Sequence, residues 1–438
     1  LETPWGTGQD GRSAGSRTEE SVAIPTSRIE VDLSKIEHNV GVIRRLLARG
    51  REDQRVPGLC AVLKADGYGL GSARVARKLA ALGVEMIAVY TPDQARTLVE
   101  AAITVPILVL MPVRDLERND PLYRAASRGR LHLAIHDTAN LQAVAEIADR
   151  QGLTLPVHVE VDTGMSRGGV APADAKVLLE KIDKHARLRL AGVFTHFASA
   201  DVDDAQTRAQ HERFAHWLDD VKALIPHDCI IHQANTFAMF RGSTLHRDMV
   251  RVGLALLGYG SEEFVGSFEL QRDAEQLRGC MRWMSTITHL KTIEAGTPVG
   301  YGATWTAKRK TRVALVPVGY ADGYPLAASN KATVRIETPE GEWLSAPMIG
   351  RVSMDQVTVD VTDLPGDLVA IGTNVEVVGS TPGEGNYLPT LAREAGTITH
   401  ELLCRLSHRV ARVYTNGEST TTGAVMLDAD ARADAVKR

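Results

Sequence analysis

The chain has 438 residues, 44% hydrophobic and 24% charged, with a formal net charge of -4 and a pI near 6.4. That length allows a large core and two or three domains, while the near-balanced charge supplies no basic field for nucleic acid. No stretch approaches about 18 uninterrupted apolar residues, which argues against a membrane-spanning helix, so the expected partners are small molecules and copies of the chain itself.

Residues 1–27 carry Gly, Ser, Thr and charge with no apolar segment fit for a signal peptide, and read as a disordered tail. The first residue is Leu1 rather than Met, which leaves open an export segment lost upstream. Four dispersed cysteines, Cys60, Cys229, Cys280 and Cys404, read as free buried thiols of a reducing, cytoplasmic compartment. From Arg28 the run I-E-V-D-L alternates like a half-buried strand, and Asp32-Leu33-Ser34 caps a helix expected over 35–48.

The stretch 59–71, L-C-A-V-L-K-A-D-G-Y-G-L-G, concentrates the chemistry. Its first residues are apolar without alternation, as in a strand buried on both faces. Lys64 ends that strand, where desolvation lowers an amine's pKa and makes it a candidate nucleophile or base. Gly67, Gly69 and Gly71 around Tyr68 suggest a flexible loop that lets backbone approach an anion before Ser72 opens a helix. A dinucleotide-binding reading loses ground, because the third glycine spacing is absent and the next strand ends in Tyr90 and Thr91 instead of an acid.

Apolar runs at 59–63, 86–90, 107–111, 131–135, 156–161, 190–195, 229–232 and 249–256 alternate with helical patterns that include 73–82, 92–101, 140–150, 172–185 and 205–224. Eight such units predict a closed (β/α)8 TIM-type barrel over residues 28–275, with an open doubly wound sheet as the alternative and the first strand free to join the following domain. A barrel works at the carboxyl ends of its strands. There the sequence offers Lys64, the run from Asp162 to Arg167, Thr195-His196-Phe197, the run from His232 to Thr236, and Arg251-Val252-Gly253-Leu254. Past Arg272 short strands and turns predict a mostly antiparallel β domain over 276–420, followed by a tail at 421–438. Its turns hold V-G-Y-G-A-T around Tyr301, V-G-Y-A-D-G around Tyr320, and G-R-V-S-M-D at 350–355.

The motifs A-V-L-K-A-D-G-Y-G, D-T-G-M-S-R, T-H-F, V-R-V-G, G-Y-G-A-T, G-Y-A-D-G and G-R-V-S-M-D-Q occur in the order found in the alanine racemase family, and the chain resembles that family over about residues 29–414. The resemblance implies a pyridoxal phosphate (PLP) enzyme of D-alanine biosynthesis, built as a barrel plus a β domain and acting as a homodimer on a small amino acid. It implies that Lys64 holds the cofactor and that Lys64 and Tyr301, the latter from the partner subunit, serve as two bases on opposite faces of the substrate. Arg251 would face the pyridine nitrogen, and His196 would link Arg251 to Tyr301. Tyr68, Asn235, Thr236, Gly253, Leu254 and His400 map to cofactor contacts, most of them to its phosphate. Arg167 would touch both the cofactor and the substrate carboxylate, and Met354, Asp355 and Tyr320 fall at the substrate and its entrance, with Arg351 beside them.

Four positions depart from the family pattern, of which Thr236 for a serine and Ser353 for a common cysteine are tolerable as small polar groups. Glu160 stands where members often carry a carboxylated lysine, and is expected to orient Arg167 directly. His400 replaces a tyrosine, which leaves serine or broad-range racemisation open. A related PLP-dependent decarboxylase and a non-catalytic PLP-binding protein are further alternatives. No metal is expected, because His400-Glu401-x-x-Cys404 lacks the second histidine of a zinc helix.

Overall fold

Alternation in the first strand decides which face it buries. In β1 (Arg28–Asp32), Ile29 and Val31 point into the core. The Asp32 side chain then accepts the Ser34 amide at 2.9 Å, so the helix starts at Leu33, two residues earlier than expected, and runs to Ala48. The computed structural model describes residues 26–51, 55–260, 270–366, 368–417 and 426–427. The tails expected at 1–27 and 421–438 lie outside these residues apart from 26, 27, 426 and 427.

Eight parallel strands follow: β2 (Gly58–Val62), β3 (Met86–Val89), β4 (Ile107–Val109), β5 (Leu131–Ile135), β6 (Leu155–Glu160), β7 (Leu188–Phe194), β8 (Ile230–His232) and β9 (Met249–Val252). They form a closed barrel, β9 pairing with β2. Every residue of β3, β4, β5 and β9 is buried, which is why these runs carry no alternation. The last run, expected as strand to 256, leaves the sheet at Val252 and turns into the short helical segment Leu254–Leu257, a difference that apolarity alone cannot reveal.

The rest of the chain supplies β10 (Met281–Thr286), β11 (His289–Ile293), β12 (Pro298–Val299), β13 (Trp305–Thr306), β14 (Thr311–Val316), β15 (Thr333–Glu337), β16 (Trp343–Pro347), β17 (Val357–Asp360), β18 (Asn374–Val378), β19 (Ala411–Thr415) and β20 (Met426–Leu427). One sheet runs β16-β15-β18-β10-β1-β19-β20 and a second β11-β14-β17, all pairs antiparallel except β1 with β19. β1 therefore belongs to the carboxyl-terminal sheet and ties it to the barrel through the helix Leu33–Ala48. No helix among the described residues is long and apolar enough to cross a membrane.

Candidate active site

β2 delivers Lys64 to the carboxyl end of the barrel, and the backbone then does something the sequence does not announce. Ala65, Asp66, Gly67 and Tyr68 all take left-handed dihedrals, with φ between 52° and 62°. Each non-glycine residue there costs about 1–2 kcal/mol, so the turn needs external support. Asp66 Oδ1 accepts from the Ser72 amide at 2.7 Å and the Ser72 hydroxyl at 2.8 Å. From the other domain, Arg412 Nε donates to the Gly69 carbonyl at 3.0 Å and the Tyr414 hydroxyl to the Leu70 carbonyl at 3.0 Å. The segment expected as a flexible loop is a clamped one, and this rigidity fixes where the Lys64 amine and the buried Tyr68 phenol point.

Both residues line a cavity of about 870 Å³ at the strand ends, together with Arg167, His196, Asn235, Thr236, Arg251, Gly253, Leu254 and His400. The structure thus gathers in one space every barrel residue that the sequence singled out for the site. Asn235 caps the helix Thr236–Arg241, its Oδ1 accepting from the Ala238 amide at 2.9 Å. The Gly253 amide donates to Thr236 Oγ1 at 3.3 Å. Tyr68 lies against the same glycine, close enough that a Cβ there would overlap its hydroxyl. An amide, two hydroxyls and the Lys64 amine at the cavity wall form a concave donor set of the size and chemistry that a phosphate ester and an aldehyde require.

Arg251 is only 4% exposed. Its Nη1 donates to His232 Nδ1 at 2.9 Å and to the His232 carbonyl at 3.1 Å, and its Nη2 to the Thr195 carbonyl at 2.7 Å and His196 Nδ1 at 3.2 Å. Burial lowers its pKa to about 10, which leaves it charged at neutral pH. Burial, then the charges of Arg251, Arg167 and Lys64, pull His196 down to about 3. Lys64 is also lowered, by burial first and then by Arg167.

Glu160 lines the same cavity, but the side chain its carboxylate faces is His136, with Oε2 3.2 Å from Nδ1, and not Arg167. The expected direct contact is replaced by an electrostatic one: Arg167 is among the charges that hold the Glu160 carboxyl down against the stronger upward effect of burial. His136 was missed because a histidine after β5 has no neighbour in sequence to betray it. It is bracketed by the Gly169 amide, which donates to Nδ1 at 3.0 Å, and by the Leu110 carbonyl at 2.7 Å.

The carboxyl-terminal domain contributes the helix Thr399–Cys404, which presents His400 and Cys404 to the cavity. Cys404 is exposed, against the expectation of four buried thiols; the other three are buried. Tyr301, Tyr320, Met354, Asp355 and Arg351 do not line this cavity. Tyr301 is 72% exposed on the turn Tyr301–Ala303. The Tyr320 amide donates to the Ser353 carbonyl, and the Ala321 amide to that of Met354, each at 3.0 Å. Asp355 accepts from Arg409 at 2.8 Å. These turns face outward as one exposed group.

Residues 31–261 match the family model described as the alanine racemase N-terminal domain, and residues 280–414 match the C-terminal domain of the same family. The chain belongs to the alanine racemase family. An alanine racemase of Halothermothrix orenii is 32% identical over 88% of this chain and 96% of its own length. One of Symbiobacterium thermophilum is 34% identical over 88% and 96%. Among solved structures, an alanine racemase of Clostridium difficile 630 superposes with a TM-score of 0.77 at 30% identity, covering 90% of this chain and 97% of that one. An alanine racemase of Bartonella henselae with covalently bound pyridoxal phosphate gives 0.74 at 25% identity, covering 90% and 100%.

Proposed function

We propose that this chain is a PLP-dependent racemase that interconverts L- and D-alanine with two bases, Lys64 and the Tyr301 of a second subunit. The observation that carries the reading is the arrangement in one cavity of an amine with a lowered pKa, a hydroxyl-and-amide cradle, and a buried guanidinium bonded to a histidine. Such a donor set fits PLP: Tyr68, Thr236 and the Gly253 and Leu254 amides would hold its phosphate, Asn235 and His400 would flank it, and Lys64 would hold its aldehyde carbon. When bound, the cofactor delocalises the electron pair left on the substrate α carbon.

Arg251 would face the pyridine nitrogen of the bound cofactor and, because a guanidinium does not give up its proton, would keep that nitrogen unprotonated. Arg167 would bind the substrate carboxylate, assisted by the Met354 amide, with Asp355 and Tyr320 at the entrance. Lys64 Nζ moves a proton on one face of the substrate and the Tyr301 phenol on the other, so that each direction of the reaction has its own base. His196 supports the phenol. Its Nδ1 accepts from Arg251, so the neutral ring carries its proton on Nε2 and can donate to a phenolate oxygen, which favours the charged form of the tyrosine. The exposed position of Tyr301, away from the cavity of its own chain, supports delivery to a partner and a homodimer with shared sites.

Two observations favour other readings of the same site. His400 in the cavity supplies a donor for a hydroxylated side chain, which suits serine or broad-range racemisation. Cys404 beside it is the type of single acid that a decarboxylase uses. The test is one incubation of the PLP-loaded protein with L-alanine, L-serine and a cationic amino acid, following optical rotation and carbon dioxide together. Loss of rotation with alanine and no gas is expected; gas release without racemisation would overturn the proposal.

A further inference from the structure

Three buried histidines stand in series behind Arg251, outside every role assigned so far. His132 Nδ1 lies 2.8 Å from His158 Nε2, and His158 Nδ1 lies 2.9 Å from His232 Nε2. His232 Nδ1 faces Arg251 Nη1 at 2.9 Å. The rings come from β5, β6 and β8 and cross the barrel interior, His158 and His232 with no exposure at all.

The chemistry of one end dictates the whole series. A guanidinium N–H can only donate, so His232 Nδ1 must be a lone pair and its proton must sit on Nε2. That proton occupies the space toward His158 Nδ1, which must then accept, and the same step repeats to His132. All three rings are therefore neutral Nε2–H tautomers with their dipoles aligned, and His132 ends the series at the Gly129 backbone. The barrel is built around this file. β6 and β7 slip register at His158, which pairs with Gly192 after Val157 pairs with Leu190, and Gly192 lies so close that a Cβ there would stand 2.2 Å from His158 Nδ1.

We propose that His132, His158 and His232 form a one-way hydrogen-bond relay that positions Arg251 and sustains its charge inside the barrel. Four of the five guanidinium N–H groups are engaged by His232, Thr195 and His196. The Nε–H is left without a partner among the described residues, and Arg251 lines the cavity. The relay fixes the guanidinium plane and so the direction of that last donor. That this donor meets the cofactor's ring nitrogen rests on the proposed function; the relay itself does not.

Two measurements separate these layers. Nitrogen-15 spectra of the imidazoles in the cofactor-free protein should give Nε2–H for all three residues near neutral pH, and an Nδ1–H or a cationic ring at His158 or His232 would overturn the relay. In the PLP-loaded enzyme, His158→Leu and Gly192→Ala should each shift the cofactor absorption band and lower kcat about 10- to 100-fold, with KM for alanine nearly unchanged and part of the loss recovered by His158→Gln. An unshifted band and normal kcat in a folded His158→Leu protein would refute the positioning role. If the leucine variant does not fold, the spectra of the unmodified chain still decide. Correct tautomers in a wild-type protein that neither holds PLP nor racemises would leave the relay standing and sink the proposed function instead.

Discussion

The Tyr68 hydroxyl lies against the backbone of Gly253, so that a Cβ built at residue 253 would stand 2.1 Å from the phenol oxygen. Glycine at this place is a condition for bringing an amide, the Tyr68 phenol and the Thr236 hydroxyl to one point. Gly253→Ala must push Tyr68 aside and open the cradle. PLP affinity, measured by equilibrium dialysis, should fall about tenfold or more, with the melting temperature changing far less than the affinity.

The two-base proposal predicts complementation. Lys64→Ala should abolish cofactor attachment, and Tyr301→Ala should lower kcat about 100- to 10,000-fold while leaving the cofactor bound. Mixed after unfolding and refolding, the two inactive chains should regain part of the activity in hybrid dimers. Absence of recovery once subunit exchange is confirmed by mass would mean that the phenol does not cross between subunits.

Acid should unfold this protein in a window set by its buried imidazoles. Burial first, then nearby cationic groups, lowers His132 to about 4 and His196 to about 3, and holds His158 and His232 well below 6.5. In the unfolded chain each takes a proton near its ordinary value of about 6.5. Between that pH and the folded values the unfolded state binds more protons, so stability is lost as the pH is lowered, by about 1.4 kcal/mol per pH unit for each group. Urea midpoints should be level above about pH 7.5 and drop steeply from about pH 6 to 4. A level midpoint through that range would mean that these rings are charged in the fold.

Glu160→Gln keeps the shape of the side chain and removes its charge. The carboxylate faces His136 at 3.2 Å and acts on Arg167 through space. The substitution should raise KM for alanine about three- to tenfold while kcat changes less, and unchanged Michaelis constants would leave Glu160 a purely local partner of His136.

What the sequence made legible was whatever repeats or ends abruptly. The eight apolar runs announced the barrel, and residues at their carboxyl ends, from Lys64 to Leu254, met in one cavity. Even the option that the first strand leaves the barrel was open, because its alternation differs from the runs that follow. The left-handed turn at 65–68 was not legible, since Ala65, Asp66 and Tyr68 have no intrinsic preference for it and its support comes from Arg412 and Tyr414 far along the chain. The histidines of β5 and β6 were equally hidden: each is set among apolar neighbours on either side, and only closure of the cylinder puts them in a row.

The place of β1 also bears on how the chain is made. It leaves the ribosome first among the described strands, yet its neighbours β10 and β19 come about 250 and 380 residues later, which at about 5–20 residues per second means a wait of roughly 20 to 80 s before both edges are covered. Once β9 is made the barrel can close, while Ile29 and Val31 sit on a strand that has no partner until β10 follows and keeps one edge bare until β19. Nascent chains stalled before residue 411 should thus be the ones that chaperones hold and proteases find.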